Sequence, residues 1–272
     1  SPLGQKTDYL VNRLDQGNQV NHRAGAGTLL STLTYDFDGF DNTVSVADVN
    51  GNITTRTYQD DRMTSLDDPD MGVSVYTYDV LGELLSMTDA NGNTQSLTYD
   101  VLGRLTSRTE PEGISTWTYD LGPKAIGRLT QVTQVYGSNV FDEQYAFDSI
   151  GRPMKTSTMI PGDPTPYQTV RTYNGSGRLK TIKYPSTGFT VKYAYNFRGY
   201  LTKVSDAGSG AILWQADDLN ARGQVTSETH GNVISTLFTY DDHQTTLTGI
   251  DVRSIFSATP LKRLAYTYDS MN

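Results

Sequence analysis

A seven-residue phrase recurs about ten times along the chain, and this repetition restricts the possible folds more than any other feature. The clearest copy is Tyr99-Asp100-Val101-Leu102-Gly103-Arg104-Leu105, and Tyr78-Asp79-Val80-Leu81-Gly82-Glu83-Leu84 stands one copy earlier. Between Tyr35 and Tyr195, successive copies begin 20 to 28 residues apart. Such a period is typical of repeat proteins, in which each unit packs mainly against its two neighbours.

The positions shared between copies are predicted to be structural. They are the leading aromatic residue, the aspartate after it in the two clearest copies, the turn glycine and the arginine that follows it. We call these residues the signposts; they are Tyr35, Tyr58, Tyr78, Asp79, Gly82, Tyr99, Asp100, Gly103, Arg104, Tyr119, Gly127, Arg128, Phe147, Gly151, Arg152, Tyr173, Gly177, Arg178, Tyr195, Gly199, Tyr240 and Tyr268.

One repeat is predicted to fold into a β-hairpin. Thr94–Tyr99 alternates with period two, which places Leu97 and Tyr99 on one face of a strand. Asp100–Gly103 has the composition of a type I turn, and its glycine can adopt the left-handed conformation that closes a hairpin with a bulge. Arg104–Thr109 is then the return strand. The sequence therefore predicts an all-β fold of repeated antiparallel β-hairpins that form a continuous curved or spiral sheet.

Many copies carry a second aromatic or apolar residue two positions before the signpost, such as Tyr76, Trp117 and Tyr145. Side chains two residues apart on a strand share a face. Each hairpin should therefore add an aromatic stripe, and we expect the stripes to form one continuous aromatic layer.

Composition excludes several classes of function. The formal net charge of −8 and the absence of a Lys/Arg cluster along the sequence argue against a nucleic-acid partner and against a basic membrane patch. The chain has no cysteine, which excludes disulfides and thiolate metal sites. No apolar run approaches the length of a membrane span, so this segment should not insert into a membrane. No cofactor is expected.

The domain organisation follows the repeats. Residues 1–30 are predicted to be a weak N-terminal repeat or lead-in segment, with Asn12-Arg13-Leu14 as part of a worn copy. Residues 31–272 are predicted to hold about ten repeats and to be truncated within the last one, which begins at Tyr268. Asp120–Gly127 and Met159–Pro166 lengthen two turns and should be surface loops.

The phrase resembles the YD repeat, also called the RHS repeat. The resemblance rests on Tyr-Asp, a short spacer and Gly-Arg, which recurs at Gly103-Arg104, Gly127-Arg128, Gly151-Arg152 and Gly177-Arg178, and it covers roughly residues 30–272. In that family the repeats form a spiral that closes into a hollow shell. Bacterial members, including RHS polymorphic toxins and the B and C components of Tc toxins, enclose a C-terminal toxin; teneurins carry a similar shell as an adhesion ectodomain.

The resemblance implies a structural shell segment that encapsulates a toxin or other cargo polypeptide and has no catalysis of its own. Its expected partners are the remaining repeats of the shell and the enclosed C-terminal toxin or cargo. It also implies a secreted or cell-surface location. The open edge strands predict edge-to-edge self-association of the segment.

Two other classes of function stay open. The first is an extracellular adhesion or carbohydrate-binding surface, with exposed aromatic residues such as Trp117 and Trp214 as contacts. The second is a hydrolase built from turn carboxylates, although His22, His230 and His243 are scattered and no local spacing indicates a triad or a zinc site.

Overall fold

The structure is a computed structural model that describes residues 5–12, 17–25, 27–185, 187–231, 233–243, 245–257 and 259–268. Within these ranges it contains 23 β-strands and no helix. Every described pairing is antiparallel and joins strands that are consecutive in the chain. The prediction of an all-β fold built from antiparallel hairpins is confirmed. No helix in these ranges could cross a membrane.

The strands are β1 (Lys6–Val11), β2 (Gly17–Arg23), β3 (Leu29–Phe37), β4 (Thr43–Asp48), β5 (Ile53–Gln59), β6 (Arg62–Asp68), β7 (Gly72–Tyr78), β8 (Leu84–Thr88), β9 (Thr94–Tyr99), β10 (Leu105–Glu110), β11 (Gly113–Tyr119), β12 (Leu129–Tyr136), β13 (Asn139–Phe147), β14 (Pro153–Met159), β15 (Tyr167–Tyr173), β16 (Leu179–Lys183), β17 (Thr190–Tyr195), β18 (Leu201–Asp206), β19 (Ile212–Leu219), β20 (Val225–His230), β21 (Ile234–Tyr240), β22 (Leu247–Ser254) and β23 (Pro260–Ala265).

The chain divides into two compact units. The first comprises residues 1–118 with 132–140, and the second comprises residues 119–131 with 141–272. In the first unit β1 to β11 pair in chain order. In the second unit β13 to β23 do the same. Residues 13–16 and 269–272, which include part of the predicted worn copy and the end of the last phrase, lie outside the described residues.

The hairpin of β9 and β10 closes with the turn and bulge that its sequence predicts. The Gly103 amide donates to the Asp100 carbonyl at 3.0 Å, and Gly103 has a φ of 74°. Leu105 pairs with Tyr99, and the next pair is displaced by one residue of β10. A three-residue loop with a bulge lets the two strands keep their right-handed twist.

The alternation of side chains gives each unit two unlike faces. On β9, Leu97 and Tyr99 are half-buried, whereas Ser96 and Thr98 on the other side are exposed. We call the side that carries the signpost aromatic residues the tyrosine face, and the other side the opposite face. On the opposite face, hydroxyl pairs such as Thr98 and Thr106, 3.0 Å apart, connect the two strands of a hairpin.

Neither unit depends on a conventional core. Among the described residues, the buried apolar side chains are Ala125, Val191 and Ala216. Stability must therefore come from the strand ladders and from cross-strand side-chain pairs, each of which contributes about 0.2–1 kcal/mol. In such an array the contacts between successive repeats decide whether the chain folds.

The prediction of one continuous aromatic layer is wrong. Among the described residues one ring pair is in contact, Tyr184 with Phe189, with centroids 6.2 Å apart. Successive signposts stand two strands apart, which is roughly 10 Å, beyond the about 4.5–7 Å at which rings interact. Other side chains therefore fill the space between the rings.

Candidate functional site

The signposts lie at or beside the turn that follows each signpost aromatic residue, which we call the first turn of the repeat. The first turns of successive repeats are therefore the candidate functional site. The aspartate that follows the signpost tyrosine organises the turn. The Asp100 carboxylate accepts hydrogen bonds from the Leu102 amide at 2.9 Å and the Arg104 amide at 3.1 Å. Asp79 accepts two equivalent amide bonds, at 2.8 and 2.9 Å. These are Asx turns, in which the side chain satisfies amides that the strand ladder leaves free.

Hydrogen bonds within the turn stabilise the charged form of these aspartates. The Arg104 side chain, followed by the turn amides, lowers the pKa of Asp100, and hydrogen bonds led by the Glu83 amide lower the pKa of Asp79. Asparagine performs the same task in later repeats, where the side-chain oxygens of Asn174, Asn196 and Asn220 each accept two turn amides. The turn therefore requires an acceptor rather than a titrating acid.

The signpost glycines have two reasons to be glycine. The first is the positive φ, 74° at Gly103 and 92° at Gly82. The second is contact with the preceding repeat: a Cβ on Gly103 would lie 2.8 Å from Oε1 of Glu83, and a Cβ on Gly82 would lie 2.8 Å from Nε of Arg62. The long side chain after one turn thus covers the turn of the next repeat.

In the second unit, signpost arginines stand where Glu83 and Arg62 stand in the first, directly after a turn. Arg152 forms an ion pair with Asp148 of its own turn at 2.7 Å. Its guanidinium also lies over the Tyr173 ring of the next repeat, 4.1 Å from the centroid. Arg128 covers Phe147 at 5.0 Å in the same manner. Such cation–π contacts are worth about 0.5–1 kcal/mol at exposed sites, and they occupy the space where ring stacking was expected.

Signpost tyrosines along the described part of the chain connect to the preceding hairpin through their hydroxyls. Each hydroxyl donates to a backbone carbonyl near the start of the preceding return strand. The pairs are Tyr58 to Thr43 (3.1 Å), Tyr78 to Met63 (2.8 Å), Tyr99 to Leu84 (3.0 Å), Tyr173 to Pro153 (2.7 Å), Tyr195 to Leu179 (2.9 Å), Tyr240 to Val225 (2.9 Å) and Tyr268 to Leu247 (2.7 Å).

The strand register explains why these carbonyls are available. The ladder between β8 and β9 ends at the pair Ser86–Ser96, and Leu84 lies two residues outside it. The Leu84 carbonyl therefore lies beyond the last ladder pair, where the two strands separate. The Tyr99 hydroxyl bridges this gap, and burial together with nearby Glu83 raises its pKa, so the hydroxyl keeps its proton. The signpost tyrosine thus joins one repeat to the next.

The three remaining aromatic signposts occupy the same place in their hairpins. Tyr35 lies in β3 opposite Val46, and Tyr119 is the last residue of β11. Phe147 has no hydroxyl, and it instead receives the Arg128 guanidinium.

Comparison with known proteins supports this assignment of the repeat. The RHS Repeat family pattern matches residues 78–116 and 99–138. A crystal structure of TcdB2-TccC3 superposes with a TM-score of 0.77 over 97% of this chain and 15% of that chain, at 19% sequence identity. A Photorhabdus luminescens Tc holotoxin pore structure gives a TM-score of 0.54 over 96% of this chain and 15% of that chain, at 17% identity.

Residues 78–116 and 99–138 of this chain therefore resemble RHS repeats. A third structure, TcdB2-TccC3-Cdc42, gives a TM-score of 0.56 over 97% of this chain and 17% of that chain, at 16% identity. The chain therefore spans about a sixth of the length of these solved structures and shares their fold over nearly all of its own length. The comparison with curated proteins gives no match.

The longer first turn keeps the closing hydrogen bond of the shorter ones. The Asp120 amide donates to the Arg128 carbonyl at 3.0 Å, as the Asp100 amide does to the Arg104 carbonyl. The expectation that this insertion is only a surface loop is wrong for Ala125, which is 1% exposed. The Arg128 amide also donates to the Ala125 carbonyl at 2.9 Å, which closes the end of the insertion.

Histidines and carboxylates are the side chains from which a metal site would be built in the described part of the chain. That part contains no group of three or more His, Asp or Glu side chains placed to hold a metal ion. His22 contacts the Thr7 hydroxyl at 3.1 Å, and His230 contacts Glu228 at 3.0 Å.

Sequence reasoning did not identify the residue that covers the next glycine. The signal was present, because the position after the turn glycine always carries a long side chain, as in Glu83, Arg104, Arg152, Tyr200 and Gln224.

Proposed function

We propose that this chain is a wall segment of an RHS shell that encloses a toxin or other cargo polypeptide. The observation that carries the proposal is the repeat-to-repeat connection. In one repeat after another a tyrosine hydroxyl donates to the preceding hairpin, and a long side chain of that hairpin covers the turn glycine. Such connections suit a continuous wall rather than a mobile chain. The likeness to TcdB2-TccC3, of which this chain covers 15%, supports a place within a larger assembly.

The wall segment has no catalysis of its own in this proposal. The turn aspartates, such as Asp79 and Asp100, already accept amide hydrogen bonds, and their lowered pKa opposes a role as proton donors at neutral pH. The same two amide hydrogen bonds recur at Asp79, Asp100, Asn174, Asn196 and Asn220, which is expected of a scaffold rather than of one reactive site. No cofactor is proposed.

The organisation proposed for the whole protein follows from the same argument. Residues 1–30 serve as the lead-in and residues 31–272 as about ten wall repeats. The partners are further repeats of the shell and an enclosed C-terminal toxin or cargo, and the protein acts outside the bacterial cell or at its surface.

Limited proteolysis of the native gene product that contains this chain tests the proposal. We expect the cargo segment to resist protease within the intact protein and to be digested rapidly when it is produced alone. Replacing Tyr78 and Tyr99 by phenylalanine should loosen the wall and increase digestion of the cargo. Equal digestion rates for the enclosed and the free segment would overturn the shell function.

An adhesion or carbohydrate-binding surface is the second candidate. The residues expected to serve it are poorly suited, because Trp117 and Trp214 are half-buried and the indole N–H of Trp214 is committed to Glu228 at 2.8 Å. The contacting aromatic pair Tyr184 and Phe189, 41% and 40% exposed, favours this candidate at a different place.

A further inference from the structure

Three Asn-Gly pairs lie in turns of the chain: Asn50-Gly51, Asn91-Gly92 and Asn174-Gly175. In such a pair the backbone nitrogen of the glycine can attack the side-chain carbonyl carbon of the asparagine, because glycine has no Cβ to hinder the approach. The attack requires a glycine amide that can lose its proton and an asparagine side chain that is held beside it. The third pair meets both conditions, whereas the first two do not.

The first two pairs lie in turns that connect consecutive hairpins, and there the glycine amide is protected. The Gly51 amide donates to the Asp48 carbonyl at 3.2 Å, and the Gly92 amide donates to the Asp89 carbonyl at 3.0 Å. A hydrogen-bonded amide gives up its proton only when the bond opens. In addition, neither asparagine accepts a hydrogen bond at its side-chain oxygen from a described residue. Folding should therefore slow the reaction at both pairs.

The third pair opens the first turn between β15 and β16, where the glycine amide is accessible. Gly175 is exposed, and its amide has no hydrogen-bond partner among the described residues. Oδ1 of Asn174 accepts hydrogen bonds from the Ser176 amide at 3.0 Å and the Arg178 amide at 2.9 Å. The ring that the first of these bonds closes, here called the Asx ring, contains both Cγ of Asn174 and the Gly175 nitrogen. The turn thus holds together the two atoms that the reaction joins.

The two amide donors also stabilise the charge that the reaction creates. When the Gly175 nitrogen adds to Cγ, Oδ1 becomes an oxyanion, and the Ser176 and Arg178 amides already donate to it. In enzymes, one such donor is worth about 10²–10³ in the rate of acyl transfer. Asn196 and Asn220 have the same pair of donors, but each precedes a residue with a Cβ instead of a glycine. Only the turn of the third pair therefore combines the donors with an unhindered nitrogen among the described first turns that carry asparagine.

We propose that Asn174 is a site of self-modification, at which the folded turn promotes deamidation to aspartate and isoaspartate. The Gly175 nitrogen gives its proton to hydroxide and forms a bond to Cγ of Asn174. The bond from Cγ to Nδ2 then breaks, and Nδ2 takes a proton from water and leaves as ammonia, which regenerates the hydroxide. Water opens the resulting succinimide at Cγ to give aspartate, or at the main-chain carbonyl to give isoaspartate. In sum, water is consumed and ammonia is released.

The two products act differently on the turn. The aspartate offers Arg178 the partner that Asp148 offers Arg152, with which it forms an ion pair at 2.7 Å. The isoaspartate adds a carbon to the main chain, so the Asx ring and the bulge no longer fit. The isoaspartate therefore weakens the hairpin of β15 and β16, which is joined to the preceding one where the Tyr173 hydroxyl donates to the Pro153 carbonyl at 2.7 Å. This hairpin changes as the protein ages.

The test follows each asparagine by peptide mass spectrometry while the 272-residue chain stands at mildly alkaline pH, folded or unfolded in urea. Labelling by an isoaspartyl methyltransferase measures the isoaspartate. In the folded chain we expect Asn174 to convert at least about tenfold faster than Asn50 or Asn91. Folding should also accelerate the reaction at Asn174 relative to urea. Gly175→Ala should slow conversion at Asn174 by at least about tenfold, because its Cβ hinders the attack.

Phe197→Gly is the matched variant, because it places a glycine after Asn196 at a position that is 92% exposed. The turn donors are already in place there, so Asn196 should become a second site that converts about as fast as Asn174. Equal rates at the three Asn-Gly pairs of the folded chain overturn the proposal, as does a lower rate at Asn174 when folded than in urea. A slow Asn196 in Phe197→Gly overturns it too, because the donors then do not promote the reaction.

Discussion

Replacing Tyr78 by phenylalanine isolates the connection between repeats, because it removes one hydroxyl and leaves the ring in place. The hydroxyl donates to the Met63 carbonyl at 2.8 Å. Met63 lies two residues outside the β6–β7 ladder, which ends at the Ser65–Val75 pair. Without the hydroxyl, the carbonyl has only water as a partner.

The expected cost is that of one neutral hydrogen bond, about 1 kcal/mol in the free energy of unfolding. For a chain of this size that corresponds to a melting temperature lower by about 2–4 °C. Because a repeat array opens locally, amides of β6 to β8 should also exchange about fivefold faster, whereas distant strands should not change.

Tyr76→Phe is the matched control. Tyr76 lies on the same strand and the same face, and its hydroxyl has no hydrogen-bond partner among the described residues. Urea denaturation followed by circular dichroism, together with hydrogen exchange, measures both variants. If Tyr78→Phe and Tyr76→Phe unfold at the same urea concentration, the hydroxyl does not join the repeats and the reasoning is refuted.

Three further outcomes follow from the same geometry. In thermal unfolding, Gly72→Ala should destabilise the chain by about 1–3 kcal/mol more than Gly92→Ala. Both glycines have a positive φ, but only a Cβ at Gly72 would lie 2.7 Å from a neighbouring side chain. Equal costs would contradict this packing. Hydrogen bonds from the asparagines that close their turns lower the pKa of Asp48 and of Asp89. The contribution of these two aspartates to stability is therefore present above about pH 4 and is lost as the pH falls through the folded-state pKa. Asp→Asn at both positions should flatten acid denaturation, and an unchanged acid profile would contradict this. Among the described residues β23 pairs only with β22, which leaves its other edge open. Sedimentation should therefore show association that rises with concentration and is weaker in the variant Leu261→Lys, at an exposed position of β23. A strict monomer would show that the edge is protected.

Much of the hairpin could be predicted from adjacent residues. The Asp–Gly spacing in a phrase such as Asp100–Gly103 determines the turn, the positive φ and the bulge, because these depend on local steric limits and on hydrogen bonds within five residues. The alternation in β9 likewise determined which side chains share a face. Repetition then made an all-β array the only fold consistent with every copy.

The partners across strands could not be read from sequence. The hydroxyl of Tyr99 meets a carbonyl fifteen residues upstream, because the register of two strands brings that carbonyl past the end of the ladder. Lys155 and Lys183 share a face although 28 residues and the proline-containing turn of an insertion separate them. A shift of one residue in pairing would have moved each lysine to the tyrosine face. Register depends on bulges and turn lengths summed along the chain, so only the folded structure decided which distant side chains became neighbours.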